Sequence, residues 1–410
     1  MKQKRELIGF FLFIKKKIFQ SKLQKTEQLQ ILFLLSKIEM VVYSNETTPR
    51  KDQMAACVLV INPGSTSTKI AVFEGDRRLF DQSLNHSSDE LKSFSTIAFQ
   101  YEFRQQAILE VLAAKGFDTG RLVAVVGRGG VLHPIPSGVY RVNEAMKADI
   151  LAARYGEHAS NLGALIADDI AAKLGIPAFI ADPVVVDELS DLARVSGHKL
   201  FQRISIFHAL NQKAVARRYA AEKEKNYEDL SLIVVHMGGG VSVGLHRGGK
   251  VEDVNQALNG EGPFSPERSG TLPSGALAKL CFSGKYTEKE VLRMISGAGG
   301  MVSFLGTNDM RDVEKLFHAG DKESSLYYKA FIYQVGKYIG SMAAAACGKV
   351  DAIILTGGIA YGKDVVDGIS AMCSFIAPIV VYPGEGELEA LAQAGFGALD
   401  GSRPILEYKA

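Results

Sequence analysis

One short pattern occurs twice in this sequence, and its spacing restricts the possible folds more than any other feature. Each copy consists of an apolar run, a turn, a second apolar run and a closing glycine, at residues 58–75 and again at 232–249. Such a pattern is typical of two strands joined by a tight turn. The turn glycines, Gly64 and Gly238, lie 174 residues apart, and the closing glycines have the same spacing. Because solenoid repeats recur every 20 to 50 residues or so, this longer period predicts two similar domains that face each other.

The segments around the two copies alternate between strand-like and helix-like patterns. Short β-branched runs predict strands at 123–126 and 178–181. Apolar spacing predicts helices at 144–154, 162–174, 327–347 and 388–394. This alternation predicts an α/β fold with a mixed sheet in each half, in which the last helix closes the chain.

Composition changes sharply near residue 53. Residues 1–53 contain 11 Lys or Arg and 5 Asp or Glu, whereas the rest of the chain contains 36 and 40 and also 40 of the 41 glycines. The apolar run 7–14 is shorter than the roughly 20 residues that a membrane span requires, and no small-residue cleavage site follows it. We therefore expect residues 1–53 to be an extension outside the fold, Met54 to begin the functional protein, and the protein to be cytoplasmic.

Several classes of function are disfavoured by composition. The chain is 47% hydrophobic and 22% charged, as expected of a soluble globular protein. The mildly acidic body carries no electrostatic footprint for DNA or RNA. The four cysteines form no C-x-x-C pair and have no histidine at metal-ligand spacing, so we expect reduced thiols in the core.

Three glycine-containing turns are candidates for binding phosphate, because small residues let backbone N–H groups approach an anion closely. They are NPGSTSTK (62–69), HMGGG (236–240) and TGG (356–358). The first is not a Walker A loop, since G-x-x-x-x-G-K-[ST] is absent. Each alone is also compatible with an ordinary turn, but two duplicated hairpins and a later strand ending in Gly-Gly together match the plan of the actin-like ATPases.

From residue 58 to the end, the sequence resembles the acetokinase family. The resemblance rests on the first turn and on GRGG (127–130), HASNLG (158–163), ADPVVVDEL (181–189), RISIFHALNQK (203–213), GPFSPERSG (262–270), TGGIA (356–360) and YPGEGELEALA (382–392). It implies two duplicated actin-like ATPase domains (ASKHA, ribonuclease H-like) with a nucleotide cleft between them. We assign 54–185 plus 388–410 to domain I and 186–387 to the nucleotide-binding domain II.

The resemblance also implies an activity, namely ATP-dependent phosphorylation of a short-chain carboxylate with Mg²⁺. The implied partners are the acid and ATP, without nucleic acid or membrane, and we expect a homo-oligomer. Where acetate kinases have a second histidine after the one matched by His208, this chain has Gln212, which favours the butyrate branch of the family. Acetate, propionate or a branched acid are alternative substrates. A sugar kinase of the same superfold and a non-catalytic ATP-binding protein are more distant alternatives.

Roles for individual residues follow from the same resemblance. The implied catalytic residues are Asn62, Arg128, Asp182, His208 and Arg268. The implied nucleotide-binding residues are Ser65, Thr66, Ser67, Lys69, His236, Gly238, Gly239, Gly240, Gly357 and Gly358. Arg128 and His158 are expected to bind the substrate, and Asp182 and Glu387 to hold the metal. Glu385 and Glu389 are rivals to Glu387 for the metal position.

Overall fold

The strands of this protein form two separate sheets in a computed structural model that describes residues 56–410. The strands are β1 (Cys57–Pro63), β2 (Ser67–Glu74), β3 (Arg77–Asn85), β4 (Leu122–Arg128), β5 (Val139–Arg141), β6 (Ala178–Ala181), β7 (Ser231–Met237), β8 (Val241–Arg247), β9 (Lys250–Val254), β10 (Ala352–Gly357), β11 (Ile379–Pro383) and β12 (Ile405–Glu407). The first sheet has the order β12-β5-β6-β4-β1-β2-β3, and the second has the order β11-β10-β7-β8-β9. Both sheets combine parallel and antiparallel pairs, as the sequence predicted.

The two repeated patterns form the same structure at equivalent places in the two sheets. Strands β1 and β2 pair antiparallel around the first turn, and β7 and β8 pair antiparallel around the second. Cys57 and Ser231 begin the first strands of the two hairpins, and Ser67 and Val241 begin the second strands, so both starts are separated by 174 residues. A third antiparallel strand follows each hairpin. The duplication inferred from the glycine spacing is therefore confirmed.

Helices cover both faces of each sheet. They are α1 (Ser88–Lys92), α2 (Tyr101–Ala114), α3 (Glu144–Leu151), α4 (Leu162–Leu174), α5 (Asp191–Arg194), α6 (Ala209–Glu222), α7 (Ser274–Cys281), α8 (Glu288–Ile295), α9 (Gly300–Leu305), α10 (Met310–His318), α11 (Lys322–Ala345), α12 (Lys363–Cys373) and α13 (Glu387–Asp400). Alternate residues of β1 point to opposite faces, so that Leu59 packs on the α4 side and Val60 on the α13 side. In the second sheet α11 and α6 cover opposite faces, and α6 also contacts α13.

Most of the predicted elements are present, with two corrections. The chain does not end with a helix, because β12 follows α13 and pairs parallel with β5. Cys281 and Cys347 are exposed, so the expectation of core thiols is wrong for these two. The membership of the sheets is compatible with the predicted domain boundaries, which stay a prediction. Within residues 56–410 no helix combines the length and the apolar character needed to cross a bilayer. The predictions for residues 1–53 lie outside the described residues.

Candidate active site

The first hairpin turn rests on a buried arginine. Arg104 of α2 is fully buried, and its Nη1 donates to the carbonyls of Gly64 at 2.7 Å and Ser67 at 3.0 Å, while Nη2 donates to that of Ser65 at 2.9 Å. Its remaining partners are the side chains of Thr68 and Gln100. Burial lowers the pKa of Arg104 to about 10. By holding the turn carbonyls inward, Arg104 leaves the outer side of the turn for N–H groups and hydroxyls. No sequence motif indicated this role of Arg104.

Asn62, Arg128 and Glu387 form one hydrogen-bonded group at the carboxyl ends of β1 and β4. Glu387 Oε2 accepts from Asn62 Nδ2 at 2.7 Å and from Arg128 Nη1 at 2.9 Å. Burial raises the pKa of the Glu387 carboxyl, and Arg128 opposes this effect. Glu387 is the first residue of α13 and is buried, whereas its rivals lie in exposed ion pairs, Glu385 with Lys69 at 4.0 Å and Glu389 with Arg78 at 3.5 Å. The geometry therefore favours Glu387 over Glu385 and Glu389 as the candidate metal ligand.

Two histidines of the second half lie ring on ring beside the glycine turn. The rings of His208 and His236 are stacked, with centroids 3.8 Å apart and planes 11° apart. His208 directly precedes α6, and His236 lies near the end of β7. Burial lowers the pKa of His236 to about 3, and burial together with His236 and both arginines holds the pKa of His208 well below its usual range. Both rings are therefore neutral near pH 7.

Arg268 packs directly against the second glycine turn. A Cβ placed on Gly240 would lie 1.8 Å from Arg268 Nη1, so only glycine leaves room for the guanidinium. Nη1 donates to the carbonyl of Ala257 at 2.9 Å, and Ser265 Oγ donates to the carbonyl of Gly239 at 2.7 Å. Inside the turn, Gly238 N–H donates to the carbonyl of Gly240 at 2.9 Å. The position of the glycine turn and the position of Arg268 therefore depend on each other.

Electrostatic effects show that these groups converge on one region. Arg128 of the first sheet and Arg268 of the second half both lower the pKa values of His208, His236 and His158. Burial is the largest cause in each case, although His158 keeps an exposed surface. Asn62 belongs to the same region through its contact with Arg128. A region with this concentration of positive charge suits an anionic ligand.

Asp182 forms its hydrogen bonds with residues other than those predicted to share its catalytic or metal-binding role. Its Oδ1 accepts from Ser137 Oγ at 2.6 Å and Gly138 N–H at 2.9 Å, and its Oδ2 accepts from Arg217 Nη1 at 2.8 Å. Burial opposes ionisation, but Arg217 and the hydrogen bonds hold the pKa of Asp182 below its usual range. Both carboxylate oxygens are therefore engaged, and the proposed role of Asp182 at a metal stays a prediction.

A cavity of about 560 Å³ borders the second glycine turn and the end of β10. Gly238, Gly239 and Gly358 line it, and the nucleotide-binding role predicted for them stays a prediction. Gly357 does not line it, and instead lets β10 approach β7, since a Cβ there would lie 2.3 Å from the carbonyl of Met237. The sequence prediction missed the segment 308–311 and Lys363, which form the opposite wall. Their signal was weak because they lie in a polar loop and at a helix start without a glycine motif.

Solved structures share the fold of this chain. Residues of this chain superpose on acetate kinase from Porphyromonas gingivalis with a TM-score of 0.69 at 19% identity, covering 83% of this chain and 99% of that one. A propionate kinase from Francisella tularensis gives a TM-score of 0.66 at 19% identity, covering 83% and 98%. The fold is therefore the two-domain α/β fold of the actin-like ATPases.

Sequence comparison then narrows the class to a family. Residues 194–372 match the model of the acetokinase family. Butyrate kinase 2 of Clostridium acetobutylicum is 57% identical over 352 residues, which cover 86% of this chain and 99% of the relative. A probable butyrate kinase of Clostridium botulinum is 56% identical over 355 residues, covering 87% and 100%. The chain belongs to the acetokinase family.

Proposed function

We propose that this protein transfers the γ-phosphoryl group of ATP to the carboxylate of butyrate, giving butanoyl phosphate and ADP. The observation that carries the proposal is the convergence of Arg128 and Arg268, from the two halves of the molecule, on the stacked histidines. Relatives that are 53 to 57% identical over nearly their whole length and named butyrate kinases support butyrate as the acid.

The attacking group needs no general base, because a carboxylate is already ionised near pH 7. One of its oxygens attacks the γ-phosphorus in line, the bond from phosphorus to the bridging oxygen breaks, and ADP leaves with that electron pair. Catalysis then depends on position and charge. Guanidinium groups suit both needs, since their planar fork matches carboxylate or phosphoryl oxygens and stays charged. We assign the acid to Arg128 and the transferring phosphoryl group to Arg268 and His208.

The glycine turns hold the nucleotide on either side of the cleft. The first turn offers N–H groups and the hydroxyls of Ser65, Thr66 and Ser67 to the phosphates, and Lys69 adds positive charge. The second turn and Gly358 border the cavity of about 560 Å³, which has room for the nucleoside part. Domain closure would exclude water and so limit hydrolysis of ATP.

The side chain of Glu387 also fits Mg²⁺, and the metal role of Asp182 stays a prediction. Glu387 Oε2 is engaged by Asn62 and Arg128, which leaves Oε1 as a hard oxygen ligand. Because Mg²⁺ keeps several waters and binds phosphate oxygens, one carboxylate is a sufficient protein anchor. The ion would neutralise charge on the transferring group. A cytoplasmic location, where ATP is available, completes this proposal.

Self-association into a homo-oligomer is also part of the proposal. It is supported by large apolar side chains exposed on neighbouring segments, among them Phe282, Leu292 and Phe304. Sedimentation analysis that finds only monomer at assay concentration would contradict it.

An acyl-phosphate assay with hydroxylamine tests the activity on acetate, propionate, butyrate, isobutyrate and valerate. We expect the highest kcat/KM with butyrate, by roughly 10-fold or more over propionate, because one methylene contributes about 1 to 3 kcal/mol to discrimination. Higher kcat/KM with another acid would correct the substrate. Tight ATP binding with no acyl phosphate from any of the five acids would refute the function.

A further inference from the structure

The stacked pair of His208 and His236 raises the question of which ring nitrogen carries the proton. In a neutral imidazole one nitrogen donates a hydrogen bond and the other accepts. Each ring engages its Nδ1 with a protein side chain, His208 with Ser242 Oγ at 3.0 Å and His236 with Asn211 Oδ1 at 2.8 Å. If Nδ1 accepts a hydrogen bond from its partner, the ring proton is on Nε2. If Nδ1 donates, Nε2 carries a lone pair.

A buried chain of side chains leads from His208 across one face of β8. Ser242 and His246 point to the same face of this strand and contact Gln212 of α6. Gly244, between them, leaves the space that Gln212 fills, because a Cβ there would lie 2.5 Å from Gln212 Oε1. Ser242, His246 and Gln212 are all fully buried, so each polar atom needs a partner within the protein.

The orientation of the Gln212 amide is fixed by a backbone carbonyl. One amide atom lies 3.0 Å from the carbonyl oxygen of Ser242, which can only accept, so this atom is the NH₂ nitrogen. The same nitrogen donates its second proton to Ser242 Oγ at 2.8 Å. Oε1 therefore accepts from His246 Nε2 at 2.9 Å, and His246 Nδ1 accepts from the hydroxyl of Tyr227 at 2.7 Å. All the donors of this chain point in one direction.

The direction of the chain determines the tautomer of His208. Ser242 Oγ already accepts from Gln212, and within residues 56–410 its only other hydrogen-bonding partner is His208 Nδ1. The hydroxyl proton of Ser242 is therefore donated to His208 Nδ1, since a buried donor left without a partner is destabilising. The ring proton of His208 is then on Nε2.

His236 has the opposite arrangement. Asn211 Nδ2 donates to the backbone carbonyl of Glu385 and to Thr356 Oγ1, which leaves Asn211 Oδ1 as an acceptor facing the ring. His236 Nδ1 must therefore carry the proton and donate to Asn211. Its Nε2 has a lone pair and lies on the side of Gly238, where a Cβ would be 3.1 Å away.

We propose that the protein fixes opposite tautomers in its two stacked histidines, so that His208 presents an Nε2–H donor to the transferring phosphoryl group and His236 presents only a lone pair. Gln212 and Ser242 are positioning residues in this arrangement. The catalytic part rests on the proposed function. A neutral ring with a fixed N–H suits an anionic oxygen at any pH where the ring stays neutral, whereas the lone pair of His236 would repel that oxygen. His236 therefore supports the ring of His208 and does not bind phosphate.

The tautomers can be read in the free, full-length protein without any substrate. In protein labelled with ¹⁵N at histidine, long-range ¹H–¹⁵N correlation spectra separate protonated from unprotonated ring nitrogens. The His208→Gln and His236→Gln proteins assign the two rings. We expect Nε2–H for His208 and Nδ1–H for His236 at neutral pH. The same tautomer in both rings, or Nδ1–H in His208, would overturn the proposal whatever the activity of the protein.

Variants then test the positioning role. Ser242→Ala removes the donor to His208 Nδ1, so we expect mixed tautomers at His208 and a fall in kcat of about 10-fold or more, with a smaller change in KM for ATP. Ser242→Thr keeps the hydroxyl and should restore the Nε2–H signature and much of kcat. Ser205→Ala is the matched control, because Ser205 is also a buried serine but donates to the carbonyl of Val186, away from the histidines.

The outcomes separate the tautomer proposal from the proposed function. Opposite tautomers in a protein that forms no acyl phosphate would support the arrangement and refute the function. Mixed tautomers in Ser242→Ala with kcat equal to that of Ser205→Ala would refute the positioning role of Ser242.

Discussion

Replacing Gly240 by alanine tests whether the position of Arg268 limits the reaction. The backbone of Gly240 does not have a positive φ, so alanine is compatible with the turn itself. The new Cβ would, however, lie 1.8 Å from Arg268 Nη1 and 2.6 Å from its Cζ. Since ordinary contact begins near 3.4 Å, the guanidinium must move by roughly 1.5 Å or more, which would strain or break its bond to the carbonyl of Ala257.

The size of the effect follows from that displacement. A catalytic group misplaced by about 1 Å can cost a factor of 100 in rate, which corresponds to roughly 2.7 kcal/mol of transition-state stabilisation. We therefore expect kcat of Gly240→Ala to fall by about 100-fold, and the loss to approach that of Arg268→Ala. Because the clash involves the far end of a flexible side chain, the fold should persist.

Steady-state kinetics with butyrate and ATP, together with a thermal melt, measure this effect. Gly340→Ala in α11 is a suitable control, since a Cβ there meets nothing within 4 Å. The double variant Gly240→Ala/Arg268→Ala should be no slower than Arg268→Ala alone, because both changes remove the same contact. Normal kcat in a folded Gly240→Ala protein would refute the reasoning that Arg268 acts from its observed position.

Three further predictions follow from the site. Glu387→Gln should raise the Mg²⁺ concentration needed for half-maximal rate, and an unchanged Mg²⁺ titration would argue against Glu387 as the metal anchor. Arg104→Met removes the donors to the first turn, so KM for ATP should rise more than 10-fold and the melting temperature should fall, with partial rescue in Arg104→Lys; an unchanged KM would contradict the role of Arg104. Acidification should destabilise the fold, because the pKa values of the buried His236 and His246 lie below the unfolded value of about 6.5, so the unfolded chain binds more protons as pH falls. The contribution is present above pH 6.5 and is lost progressively below it, by about 2 kcal/mol for the His236 ring between pH 7 and pH 5; urea unfolding at the two pH values measures it, and equal stabilities would contradict it.

The duplication was readable from the sequence because both hairpins need glycine at equivalent turns. The apolar run 178–181 predicted its strand to the residue, since burial on both faces leaves an uninterrupted signal. The apolar spacing of 162–174 predicted its helix to the residue. By contrast, β12 is short, is largely exposed and pairs with a strand far away in sequence. Its existence depends on tertiary pairing, which no local pattern reports.

The site was predictable only as far as a motif indicated it. Asn62, His208 and Arg268 were predicted from family motifs, and only the structure shows that they lie in one region. Arg104 looks like any other charged residue of an amphipathic helix until its burial is known. The partners of Asp182 were equally invisible, because Arg217 lies on a helix that no motif linked to it.

The two hairpin turns differ in the groups that contact them. Arg104 binds the backbone carbonyls of the first turn, whereas Arg268 packs against the glycines of the second turn, which also borders a cavity of about 560 Å³. In the proposed reaction, this difference would orient the nucleotide with its base in the cavity beside the second turn and its phosphates towards the hydroxyl-rich first turn.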